Sequence, residues 1–135
     1  MIRTLAATAA LLTLTACGPV VSRDMAGESF TVRGASYEQV WQAAQNAVVA
    51  EFPKADIQDA DAKQRGEILA GSNGCAYGSG DYLGVYISPT TAQSERYTIK
   101  IVSDDTSSTN RAARIAAVHK GIKASVNTIA GVRVK

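Results

Sequence analysis

The stretch SYEQVWQAAQNAVVAEFP, residues 36–53, decides how the rest of the chain is read. Ser36 and Gln39 stand at capping-box spacing: the Ser hydroxyl accepts from the Gln backbone N–H, and the Gln side chain accepts from the Ser N–H. From that start Tyr37, Val40, Trp41, Ala44, Ala47 and Val48 fall on one side of a helix, with Phe52 at its edge. Glu38, Gln42, Gln45 and Asn46 take the other side. Pro53 ends the run, because it has no N–H to donate and its ring clashes with the preceding turn. An amphipathic helix with Trp41 as its largest apolar anchor needs something flat to pack on, so the flanking segments are expected to supply a sheet.

Those segments carry the period of strands. Residues 96–102 (RYTIKIV) alternate strictly, with Tyr97, Ile99 and Ile101 facing one way and Thr98, Lys100 and Val102 the other. Residues 29–32 (SFTV) alternate before Gly34 and Ala35 break the pattern, and 82–88 (YLGVYIS) run to Pro89. Arg65-Gly66 reads as a turn into a strand at 67–70, and 55–61, around Ile57, as another short strand. Between them, 71–81 (GSNGCAYGSGD) holds four glycines and reads as a flexible loop. Residues 104–109 (DDTSST) offer several N-caps for a last helix with the stripe Ile115, Val118, Ile122, Val126 and Ile129. Residues 131–135 read as a fraying tail or a short strand. The expected order is β-α-β-β-β-β-α. The fold class is α+β: a two-layer sandwich with two amphipathic helices on one face of a small, mostly antiparallel sheet.

The N-terminus reads as an address. Arg3 is its only charge, 5–14 is apolar with interspersed Thr, and Leu14-Thr15-Ala16-Cys17 follows. This resembles the lipobox of bacterial lipoproteins. The resemblance implies cleavage before Cys17, a diacylglyceryl thioether on its thiol and an N-acyl chain (palmitate chemistry) on its new amino group. More than one acyl chain anchors a protein stably, whereas a single chain binds reversibly. Gly18, where an Asp would favour retention at the inner membrane, implies the outer membrane, with the domain facing the periplasm. The alternative is an ordinary secretory signal that contains a cysteine. The expected organisation is a lipoprotein signal peptide at 1–16, a lipidated tether at 17–28 and a single α+β domain at 29–135. The element order, with Tyr37-Glu38-Gln39-Val40-Trp41 opening the first helix and Gly66-Glu67-Ile68 opening a strand, also resembles the helix-grip domains of small outer-membrane lipoproteins over 36–130.

Composition narrows the function. A chain of 135 residues, 46% hydrophobic and 19% charged, builds one modest core and is neither disordered nor multidomain. A net charge of +2 gives no footprint for nucleic acid. No apolar run approaches the roughly 18 residues of a membrane-spanning helix. No catalytic constellation is expected: His119 is the sole histidine, on the edge of the last helix's stripe, and Cys75 is the one thiol left once Cys17 carries lipid. Asp56, Asp59 and Asp61 do not follow calcium-loop spacing, and one His with one Cys cannot build a zinc site, so neither metal nor cofactor is expected. The glycine loop lacks the Gly-Lys-Ser/Thr of a phosphate cradle.

Charge is unevenly spread. Arg111, Arg114, Lys120, Lys123, Arg133 and Lys135 stand without an acid over 111–135, whereas 17–110 is net acidic. The candidate contact surface is therefore Tyr77 and Tyr82 about the glycine loop, with Arg114, Lys120 and Lys123 on the last helix. The expected partners are the membrane, through the lipid, and envelope proteins or peptidoglycan. The expected function is a non-enzymatic accessory subunit of an envelope assembly, with a small-ligand or peptidoglycan-binding domain as the alternative.

Overall fold

A computed structural model of the protein describes residues 21–53, 62–71, 82–104 and 108–135. In chain order the elements are β1 (Glu28–Arg33), α1 (Tyr37–Glu51), α2 (Ala62–Arg65), β2 (Glu67–Gly71), β3 (Tyr82–Ser88), β4 (Arg96–Ser103), α3 (Ser108–Asn127) and β5 (Arg133–Val134). The five strands form one sheet in the order β2-β3-β4-β1-β5, every neighbouring pair antiparallel. Both long helices pack on one face of it, which makes the α+β two-layer sandwich.

Local chemistry sets each element. The capping box forms: Ser36 Oγ accepts from the Gln39 N–H at 3.2 Å, and Gln39 Oε1 accepts from the Ser36 N–H at 2.9 Å. The helix it opens buries Tyr37, Val40, Trp41, Ala44, Ala47 and Val48, and Phe52 closes it by donating its N–H to the Val48 carbonyl. Alternate residues of the strands meet this face: Phe30 and Val32, Ile68 and Ala70, Leu83, Val85 and Ile87, and Tyr97, Ile99 and Ile101. Ile115, Val118, Ile122 and Val126 bring α3 into the same core. The two helices approach closely at Ala47 and Gly121, where a Cβ on the glycine would stand 3.0 Å from that of Ala47.

Loops are pinned rather than merely long. Tyr97 Oη donates to the Thr91 carbonyl at 2.7 Å, and Tyr37 donates its N–H to Ala92, so 89–95 is tied to both layers. Tyr37 Oη also donates to the Lys63 carbonyl, and Lys63 pairs with Glu38, which fixes α2 against α1. Gly66, at φ +67°, turns the chain from α2 into β2 and accepts from the Ile87 N–H at 2.8 Å.

The described elements differ from β-α-β-β-β-β-α by a short helix before β2 and a last strand after α3. The strand expected at 55–61 lies outside the described residues, and the residues just after it are the helix α2. The end of the chain is the short strand rather than a fraying tail: Val134 opposes Val32, and Thr31 and Lys135 exchange N–H···O bonds at 2.9 and 3.0 Å. Asp104, an expected helix cap, instead accepts from the Tyr82 N–H at 2.7 Å and locks the end of β4 to the start of β3. The tether expected over 17–28 also differs, because Val21, the first described residue, is already packed. That residue is 6% exposed and lies with Tyr86 and Val102 on the sheet face away from the helices, with Met25, Leu69 and Tyr82 around them. Arg23 donates to the Arg65 carbonyl, faces Glu67 at 3.7 Å and lies over the Tyr86 ring, while Lys100 Nζ donates to the Arg23 carbonyl at 2.7 Å. Residues 21–27 are thus a strap across the outer face of the sheet.

Candidate functional site

The structure does not assemble the expected contact surface into one patch. Cys17 and Tyr77 lie outside the described residues, as do Cys75 and the three clustered aspartates. Tyr82 stands on the outer sheet face, half-buried, its ring over Gly71. Arg114, Lys120 and Lys123 belong to α3, on the opposite layer. The separation of Tyr82 from α3 has a simple cause. Tyr82 has the parity of Gly84 and Tyr86, whereas Leu83, Val85 and Ile87 are the β3 residues that meet the helices.

On α3, Arg114 is half-buried with its guanidinium 4.8 Å from the centre of the Phe52 ring, a packing contact as much as a charge. Lys120 and Lys123 are exposed and border an open groove of about 450 Å³ with Glu28, Ala116, His119 and Ala124. His119 is positioned from both sides. Its ring stacks on Phe30 at 4.2 Å, Nδ1 meets the Glu28 carboxylate, and Nε2 is buried with no partner among the described residues. This is the half-buried histidine expected of a boundary position, clamping α3 to β1. Among the described residues no three His, Cys, Asp or Glu side chains are placed to hold a metal ion.

The outer sheet face carries a feature that sequence reasoning missed. In the register of β4, β1 and β5, Arg33 lies opposite Arg96 on one side and Arg133 on the other. Directly opposed residues share a face with Cβ atoms about 4.5–5.5 Å apart, so these arginines form one row across neighbouring strands. Val32, Tyr97 and Val134, their chain neighbours, point the other way into the core. Glu95 accepts from Arg33 at 3.1 Å, but its side chain is 88% exposed and the pair is therefore weak. Arg96 and Arg133 are exposed and make no ion pair among the described residues. Ser36, Gln39 and Ser94 continue the polar lining beside Arg33 and Arg133 in an open groove of about 670 Å³. The outward Arg33 and Arg96 were legible from strand parity. What no single sequence states is that β4, β1 and β5 lie side by side.

Three tyrosines have hydroxyls held above their ordinary pKa of 10.0. Burial is the chief cause in each; the phenolate of Tyr97 adds to it at Tyr37, and Glu67 adds to it at Tyr86. They remain neutral hydrogen-bonding groups near neutral pH; Tyr97 spends its hydroxyl on pinning the 89–95 loop and Tyr37 on holding α2. No family model, curated protein or solved structure matches the chain.

Proposed function

We propose that this protein is a bacterial lipoprotein, anchored in the outer membrane by diacylglyceryl and N-acyl chains on Cys17. Its α+β domain serves as a non-enzymatic interaction subunit of an envelope assembly on the periplasmic side. The observation that carries the reading is Leu14-Thr15-Ala16-Cys17, set behind the apolar stretch 5–14 and followed, four residues on, by the packed Val21. A domain that begins so soon after a lipidated cysteine works at the bilayer surface. Surface charge in two separate places, on α3 and across the sheet, supports contact rather than catalysis as its task.

The test has two readouts in cells making the full chain. Metabolic labelling with a palmitate analogue is expected to mark the protein, and Cys17→Ser to abolish the mark; a label that survives the substitution refutes the anchor. Crosslinking of the native lipoprotein in intact cells is then expected to recover a recurrent envelope protein. Crosslinks confined to cell wall would put the peptidoglycan-binding alternative in its place.

A further inference from the structure

The arginine row stands where the stability of the sheet gives no reason for it, since like charges directly opposed across strands are destabilising. It lies on the same face as the strap. That face carries Arg23, Arg33, Arg96, Lys100, Arg133 and, opposite Thr31, Lys135. The acids near them are Glu67, which faces Arg23 and Arg65, the exposed Glu95 beside Arg33, and Asp24 on the strap.

Chain length supplies a second, independent constraint. Four Cα steps separate Cys17 from Val21, and at about 3.3–3.6 Å per residue they span at most about 14 Å. Val21 rests on Tyr86 and Val102, on the outer sheet face. The helix layer lies beyond the sheet. A helix with its side chains is about 10–12 Å across and a packed sheet about 10 Å deep, so the far side of the helix layer stands about 20 Å from that face. An anchor on Cys17 therefore holds Val21, and with it the outer sheet face, within about 14 Å of its own bilayer. Along β4 the arginine row begins at Arg96, near the far end from Val102. Anchor and arginines would thus grip the membrane at two separated places.

We infer that the outer sheet face is a membrane-docking surface. The row Arg96, Arg33 and Arg133 binds anionic phosphate headgroups of the bilayer that holds the Cys17 anchor, so the domain lies on its sheet and turns its helix layer towards partners. Guanidinium forks fit phosphate oxygens in bidentate pairs, and side chains near an anionic surface gain strongly from it. The inference rests on the lipid-anchor reading for the choice of membrane, while its charge chemistry can be measured without the lipid.

The experiment uses the full chain carrying Cys17→Ser. Its partition is measured into vesicles of phosphatidylcholine alone and of phosphatidylcholine mixed with phosphatidylglycerol. Any insertion of the apolar N-terminus is common to both vesicles, so the ratio of the two partitions reads the headgroup charge. Arg33→Gln/Arg96→Gln/Arg133→Gln is expected to lower the anionic-vesicle partition about a hundred-fold, at about five-fold per arginine. Lys120→Gln/Lys123→Gln is expected to change it by less than about two-fold, because α3 packs on the sheet face opposite the arginine row. Arg96→Gln/Arg133→Gln, which leaves the Arg33–Glu95 bond in place, guards against a triple variant that does not fold, and circular dichroism melting confirms each variant. Equal partition of folded arginine variants and the unsubstituted chain overturns the proposal. So does displacement from the vesicles by millimolar inorganic phosphate together with arginine-dependent phosphate binding in their absence, since the ligand would then be a soluble phosphate. The acyl-labelling experiment tests the anchor alone, so failure of the docking face and failure of the lipoprotein reading are separate results.

Discussion

Gly66 shows how much one residue is asked to do. Its φ of +67° belongs to the left-handed region, and a Cβ there would stand 2.2 Å from the Ile87 carbonyl oxygen. Gly66→Ala therefore meets both backbone strain and a clash with backbone that cannot rotate aside. It is expected to cost about 1–3 kcal/mol in urea denaturation; a loss under about 0.5 kcal/mol, the size of a neutral surface change, would contradict this account. The turn itself was legible, because Arg65-Gly66 sits at the mouth of an apolar run. The contact that makes glycine obligatory was not, since it depends on the pairing of Glu67 with Tyr86. His119 repeats the lesson. Its boundary position follows from the period of α3, but its Glu28 and Phe30 contacts follow from how α3 crosses β1.

At the scale of elements, α1 was readable because everything that specifies it lies within its own span. The cap, the 3.6-residue stripe and the terminating proline are all local. Ser36→Ala removes one half of the capping box and is expected to cost about 1 kcal/mol. Chemical denaturation checks it, and Ser36→Asp, which keeps an acceptor at the N-terminus of the helix, should recover most of the loss. Elements whose cause is distant were harder to read. β5 is two residues long and has no pattern of its own; it is a strand because β1 offers it an edge. The strap at 21–27 looks like linker in composition, being short, polar and Gly-containing. It becomes structure only where Tyr86 and Val102 supply apolar surface and the Glu67 carboxylate and Arg65 carbonyl receive Arg23. The arginine row belongs to this class too, since its three members come from three strands and register alone unites them.

For the molecule as a whole, the tyrosines set an alkaline limit. Tyr37, Tyr86 and Tyr97 all hold their protons more tightly folded than unfolded, chiefly through burial. A group whose pKa is raised on folding gives its full stabilisation below the unfolded value, here 10.0, and loses it as the pH climbs through the folded value. The urea midpoint is accordingly expected to be insensitive to these groups up to about pH 9 and to fall steadily above pH 10. Tyr97→Phe, less stable at neutral pH for want of its bond to Thr91, should show a shallower alkaline decline. A midpoint unchanged between pH 9 and pH 11.5 would be incompatible with three buried phenols.

The position of β1 has a consequence for the time course of folding. It is the first strand among the described residues, yet its neighbours in the sheet are β4 and β5: Arg33 waits for Arg96, and Val32 for Val134. Strands β2, β3 and β4 follow one another as an antiparallel meander and can zip in sequence, whereas β1 must close a long loop before its pairing repays the entropy. A chain delivered N-terminus first, by a ribosome or through a narrow channel, therefore holds its leading strand unpaired until most of its length has followed. In such a delivery the pairing of β1 is therefore a late step, and until then the leading segment is free of the sheet.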